Sequence, residues 1–264
     1  MGRIISVVLL FLGIIVAIPG AASPTNPLPT LQDRLRASLE DMDRGLAHAA
    51  QRLAQEGLQG PQTSKILAWL CAERHQAIDC AAIDPQGVMV VVEPAHFKPF
   101  EGISVANQPQ VERVMRQRQP VMSAYFYTVE GVGAVDIEHP VVGAKGDYLG
   151  SVSIIFDPAR LVERLAADLA LPAGAKLFLA QTDGRMLYSG ELTEIGRNLR
   201  DDALYLQNQE VRNAVERILD QEEGQVGPYQ YRDASGSVVR RVCQWTSLGL
   251  HGMTWRLGLA QPAP

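Results

Sequence analysis

The side chains best suited to chemistry in this 264-residue chain fall between Lys98 and His139. Tyr125, Tyr127 and His139 stand on runs rich in β-branched and aromatic residues, and Lys98, Ser104 and Arg113 precede them. Together they make a donor-rich set that suits a small anionic or polar molecule such as a carboxylate. Ser123 shares a strand face with the two tyrosines, because successive side chains point to opposite sides of a sheet. Asp136 is the unusual placement. A carboxylate among apolar strand residues must be exposed or paired, and pairing marks a site. Plainer readings stand beside these: tyrosines that pack in a core with hydroxyls at its rim, a satisfied buried His139, and Arg113 on a solvated helix face. Alternation does not say which face of the sheet carries the pocket.

Catalytic arrangements are not found. The five histidines (His48, His75, His96, His139, His251) have no close metal-ligand spacing with cysteine or carboxylate. Gly-x-Ser-x-Gly, a P-loop and G-x-G-x-x-G are all missing. Asp79, Cys80, His96 and Asp136 form the one cluster worth naming, and nothing in the sequence brings them together. The expectation is a binding protein with no enzymatic activity, cofactor or metal. A net charge of −5 argues against nucleic acid. Cys71, Cys80 and Cys243 are odd in number and lie in apolar surroundings, which favours buried free thiols over a Cys71–Cys80 bridge.

The elements that must position these residues start with a long helix. Leu31, Leu35, Leu39, Met42, Leu46, Ala50 and Leu53 recur at spacings of three and four up to Gly57, with Thr30 as the expected cap. Near-heptad spacing permits this stalk to pair with a second copy in a homodimer. Upstream, Ile4–Ile18 is apolar after Arg3 and is followed by small residues, so residues 1–23 read as an export signal or an N-terminal membrane anchor. The remaining chain is then periplasmic, secreted or tethered at the outer face of the cell membrane.

Beyond a short helix over Thr63–Arg74, two apolar runs flank Asp84-Pro85-Gln86-Gly87, and a loop and a short helix (Gln108–Arg118) follow. Three strands are expected at Val121–Val129, Ala134–Val142 and Tyr148–Phe156, and then a helix from Pro158 to Leu171. The same order recurs around Thr182-Asp183-Gly184, Val211–Leu219, Gly224–Tyr231, Val238–Trp245 and Met253–Ala260. Aligning Val111 with Val211, and Val152 with Leu257, supports a duplicated module. The fold class is α+β: a linker, stalk and short helix over 24–76, then two PAS-like antiparallel modules at 77–171 and 172–260. The links of the second meander read as longer, which makes that module look more like a spacer than a site.

These motifs resemble the extracellular double Cache sensor domain. They are Asp84–Gly87, Glu101-Gly102-Ile103-Ser104, Gln108-Pro109, Pro120–Ser123 and Gly146–Val152, and then Thr182–Arg185, Glu194–Leu199, Gly224–Tyr231 and Trp255–Gly258. The resemblance implies a sheet in each module, with the long helix along one face and loops over the other. It also implies a small-molecule site in the first, membrane-distal module and a signal passed to a membrane receptor. No output domain follows, so a soluble binding protein or a receptor's input subunit is expected. The alternative is an interaction module whose pocket is closed by Phe100, Tyr125, Phe126 and Tyr127. Family members that take amino acids commonly have Arg-x-Trp-Tyr after the short helix and an aspartate on the last distal strand. Here Gln108–Tyr127 contains no tryptophan, and the strand position falls on Ile155. A free amino acid would lose its ammonium partner.

Overall fold

The computed structural model describes residues 26–233 and 236–263, so the signal or anchor expected at 1–23 lies outside the described residues. Helix α1 runs from Leu28 to Glu56. At about 1.5 Å per residue it is long enough to reach along two sheets. It starts before Thr30, because Asn26 Oδ1 accepts the Leu28 N–H at 3.1 Å and Pro29 fits the first turn. Its apolar stripe packs inward on the chain's own sheets. Leu31, Leu35, Leu39, Met42, Leu46 and Leu53 are fully buried in one cluster with Ile137, Ile154, Leu179 and Leu257 from both sheets. The stripe that suggested pairing with a second copy is therefore already covered, and the outward residues are mostly charged or polar. Replacing Leu39 with Ala removes packing from that shared core. It is expected to cost about 2–5 kcal/mol in denaturant unfolding.

Helix α2 (Pro61–Ala72) lies beside β1 (Ala77–Ile83). Cys71 and Cys80 are joined across them with Cα atoms 5.9 Å apart, so the expectation of free thiols fails for this pair and holds for buried Cys243. The linear sequence hides this pairing, because only the helix-to-strand turn brings the two residues within disulfide reach. The chain continues through β2 (Met89–Glu93), a 3-10 turn at Ala95–Phe100, and α3 (Pro109–Gln117). Next come β3 (Val121–Met122), β4 (Phe126–Tyr127), β5 (Gly133–Val142), β6 (Tyr148–Phe156) and α4 (Pro158–Ala166). The second unit holds β7 (Lys176–Gln181), β8 (Met186–Ser189), α5 (Gln209–Asp220), β9 (Gly224–Arg232), β10 (Val238–Leu250) and β11 (Met253–Pro262).

The two sheets have one plan. Their strand orders are β2-β1-β6-β5-β3 and β8-β7-β11-β10-β9, antiparallel throughout. The repeat extends to the loops. Gly102 N–H donates to Met89 O and Gly196 N–H to Met186 O, each at 2.8 Å. Asp84 and Asp183 both accept the backbone N–H two residues on, at 2.9 Å.

Two expectations change. The strand expected over Val121–Val129 is cut into β3 and β4. Ser123 Oγ accepts the Asp136 N–H at 2.9 Å in place of a ladder carbonyl, and Tyr125 N–H leaves the sheet for Gln181 Oε1 at 2.6 Å. The second meander is also tighter than expected: β10 and β11 are joined by His251-Gly252 alone. Both turn residues have positive φ, 48° and 83°, as a two-residue type I′ hairpin requires.

Candidate ligand site

One face of the first sheet is spent on α1. Cys80, Ala82, Ile137, Val152, Ile154 and Phe156 point to it. The opposite face carries Asp79, Ala81 and Ile83 of β1, Ser151, Ser153 and Ile155 of β6, and Asp136 and Glu138 of β5, since paired residues share a face. Helix α3 and the loops cover it through Val105 and Val111. Beneath them lies a cavity of about 10 Å³, room for roughly one water, lined by Met89, Gln108, Thr128, Glu130, Asp136 and Ile155 among others.

Ile155 pairs with Asp79 on one side and Asp136 on the other. Two strand spacings of about 4.8 Å therefore place an aspartate on each flank of the isoleucine. Asp79 is 1% and Asp136 3% exposed, and neither oxygen of Asp79, nor Oδ1 of Asp136, has a hydrogen-bond partner. Glu130 adds two more buried oxygens without partners. Gly131, at φ 80°, allows the tight Thr128–Gly131 turn beside it. Burial drives the Asp79 carboxyl up to about 8, with the Glu130 charge adding to the shift. Burial likewise holds Asp136 well above the usual carboxylate range, reinforced by Glu138 and Asp79 and opposed by a Gln110 hydrogen bond. Glu138, on the same face, is pushed up to about 7 by burial although Ser151 donates to it. Burial thus favours the neutral, protonated form of these acids, and a cation beside them would favour the carboxylates.

Of the residues expected at a site, only Asp136 lines this cavity. Ser123 is buried, but its hydroxyl is used on backbone, donating to Ala124 O at 2.7 Å and accepting from Asp136 N–H. Lys98 is turned outward 3.5 Å from Glu93, and Ser104 is exposed in a bridge with Val88. Arg113 is half-buried on α3 outside the lining, Tyr125 packs toward the α1 side of the core, and Tyr127 is 74% exposed. His139 points the other way, with Nε2 2.6 Å from Asp43 of α1. The physical reason is the break at Ser123, which ends the alternation on which the tyrosine assignments depended. The cluster of Asp79, Cys80, His96 and Asp136 resolves likewise. The aspartates meet on one row, Cys80 is in the disulfide on the other face, and His96 is exposed against Phe97. In the sequence Asp79 stood out only as a member of that unplaced cluster; its role was not legible, because cross-strand register is not written in one strand.

The lining residues include no cation and no aromatic ring, so the cavity suits neither an anion nor the aromatic plug expected from Phe100, Tyr125, Phe126 and Tyr127. The corresponding row of the second sheet is Lys176–Ala260–Cys243. It underlies a larger, mostly apolar cavity of about 120 Å³ with Phe178, Tyr205, Tyr229 and Tyr231 in its wall, which does not fit a mere spacer.

Residues 37–158 match the family described as HK/GC/chemotaxis protein-like, sensor domain. No curated protein sequence matches the chain. Among solved structures, an extracellular ligand-binding receptor from Desulfohalobium retbaense is 32% identical over 88% of this chain, with a TM-score of 0.72; this chain spans only 39% of it. The ligand-binding domain of the Pseudomonas fluorescens chemoreceptor CtaA, in complex with L-alanine, is 17% identical (TM-score 0.64; 89% of this chain, 93% of that one). The periplasmic sensory domain of the Campylobacter jejuni chemoreceptor Tlp1 is 14% identical (TM-score 0.64; 89% and 92%). The chain thus shares its two-sheet fold with extracellular ligand-binding and periplasmic sensory domains, and residues 37–158 carry the sequence pattern of the sensor family.

Proposed function

We propose that this chain is an extracytoplasmic, non-enzymatic sensor, and that its first sheet takes a small molecule bearing an ammonium group between Asp79 and Asp136. The observation that carries this is the row Asp79–Ile155–Asp136 with its unpartnered carboxyl oxygens. Buried charge-capable groups without partners are costly, and a site that gives them a cation on binding recovers that cost. The two aspartates restore from flanking strands the ammonium partner that Ile155 removes. The neighbour CtaA was crystallised with L-alanine, which carries such a group. With no cation in the lining to meet a ligand carboxylate, a plain amine fits better than an amino acid. The cavity has room for only about one water, so α3 and the Thr128–Gly131 turn must shift to admit a larger molecule. That movement is the natural first step of a signal to a membrane receptor, whether the chain acts as a soluble binding protein or as an input subunit.

Calorimetric titration with alkylamines, diamines, amino acids and dicarboxylates tests this reading. Amines are expected to bind and dicarboxylates not to. Binding must displace protons from acids titrating near 7–8. Affinity should therefore rise by up to about tenfold per pH unit from pH 6 to 8 for each proton released. Binding of dicarboxylates alone, or amine affinity that does not change over that range, would contradict it. Amine binding untouched by Asp79→Asn would move the site to the second sheet's cavity.

A further inference from the structure

The face of the first sheet opposite the cavity holds a second constellation that ligand sensing does not use. Asp43 comes from the middle of α1, His139 from β5 and His251 from the β10–β11 turn. Three segments far apart in sequence, belonging to the stalk and to both sheets, thus meet at one point. Both histidines aim Nε2 at the same carboxylate oxygen, His139 at 2.6 Å and His251 at 2.5 Å from Asp43 Oδ1. The rings lie 5.7 Å apart at 76° to one another, so each presents its nitrogen edge inward and neither stacks on the other. The three ligand atoms lie within 4.8 Å of one another.

We propose that Asp43, His139 and His251 form a binding site for a divalent transition-metal ion of the zinc class, which ties the stalk helix to both sheets. Two neutral imidazoles and one carboxylate are a donor set that zinc takes with water in the fourth position. Access suits it: His139 is buried, while Asp43 and His251 are each about a quarter exposed, so an ion and a water can enter from one side. Position suits it too. The two-residue turn fixes the His251 backbone, and β5 and α1 are regular elements, so the donors are held on rigid supports. Without an ion, the same geometry is satisfied by two N–H groups donating to one carboxylate oxygen, and these bonds outweigh burial and hold Asp43 below the usual carboxylate range. Metal binding through the two Nε2 atoms requires each ring proton to move to Nδ1, so both imidazoles remain neutral. Among the described residues no partner holds the Nδ1 of either ring, so micromolar rather than nanomolar affinity is expected, since outer hydrogen bonds commonly contribute 10–100-fold.

The test uses the full chain stripped with a chelator and titrated with Zn²⁺, and with Co²⁺ for its absorption bands. One ion per chain with micromolar Kd, and a melting temperature that rises with Zn²⁺, is the expected result. His251→Asn keeps a residue that tolerates positive φ and removes the imidazole; it should weaken binding at least tenfold while the fold is retained. His139→Gln should do the same, and His96→Ala, on the exposed loop, should leave binding unchanged. No saturable binding up to millimolar Zn²⁺ would overturn the proposal. Binding that survives His251→Asn, or that is lost with His96→Ala, would also overturn it by showing an adventitious surface site.

Discussion

Asp79→Asn is expected to raise the melting temperature of the ligand-free protein at pH 8, to change it much less at pH 5, and to remove at least nine-tenths of its affinity for an amine. The sign follows from linkage. Asp79 is pushed from 3.8 to about 8 on folding. The folded state therefore holds its proton more tightly than the unfolded chain. The penalty for this is absent below the unfolded value, grows as pH rises above it, and levels off only above the folded value. One pKa unit is worth about 1.4 kcal/mol, so a shift of this size opposes folding by several kcal/mol at pH 8. Asp136 and Glu138 act in the same direction. Asp43 acts oppositely, since its lowered value contributes stability that is lost as pH falls through and below 3.8. Stability of the ligand-free protein is thus expected to peak near or just below pH 4 and to fall as pH rises from there. Thermal melts of both proteins at pH 5 and pH 8 decide the matter. If the asparagine variant is the less stable at pH 8, Asp79 has a partner and the site assignment is wrong.

Arg256→Met is expected to cost about 3–5 kcal/mol, lowering the melting temperature by on the order of 10 °C. Arg256 is 5% exposed, and its guanidinium closes the end of α5. Nε donates to Ile218 O at 3.0 Å, Nη2 to Leu219 O at 3.0 Å, and Nη1 to Ser247 Oγ at 2.8 Å. These are carbonyls that a helix end leaves unsatisfied, and the cation also lies at the negative end of the helix dipole. Methionine fills the volume and leaves those acceptors buried and bare. Lysine should recover only part of the loss, because a point charge does not span a fork. Denaturant melts of the three proteins check this. A methionine variant as stable as the parent would show that water or backbone shifts satisfy α5 without the arginine. Because α5 roofs the second cavity, the loss is expected to spread to that unit first.

Most of the architecture was legible in local chemistry. The leucine spacing of α1 predicted a long helix with one buried face, and that face is fully covered. Turn formers at Asp84–Gly87 and Thr182–Gly184 marked matching hairpins, and the aligned pair Val152 and Leu257 lie in the shared core on the α1 side. Helix and strand periods are properties of neighbours in sequence, so a sequence carries them directly.

What the sequence by itself determined, then, is the α+β plan, its duplication and the unusual placement of Asp136 among apolar strand residues. Only the tertiary structure decided which face is the site and which residues meet there. Ser123 interrupts its strand for a bond to a residue 13 positions away, which turns Tyr125 and Tyr127 off the pocket. Antiparallel register sets Asp79 and Asp136 on either side of Ile155, though they are far apart in the chain. The disulfide and the meeting of Asp43, His139 and His251 belong to the same class. Each depends on distances between elements. Those are fixed by packing a shared core rather than by any pattern along the chain.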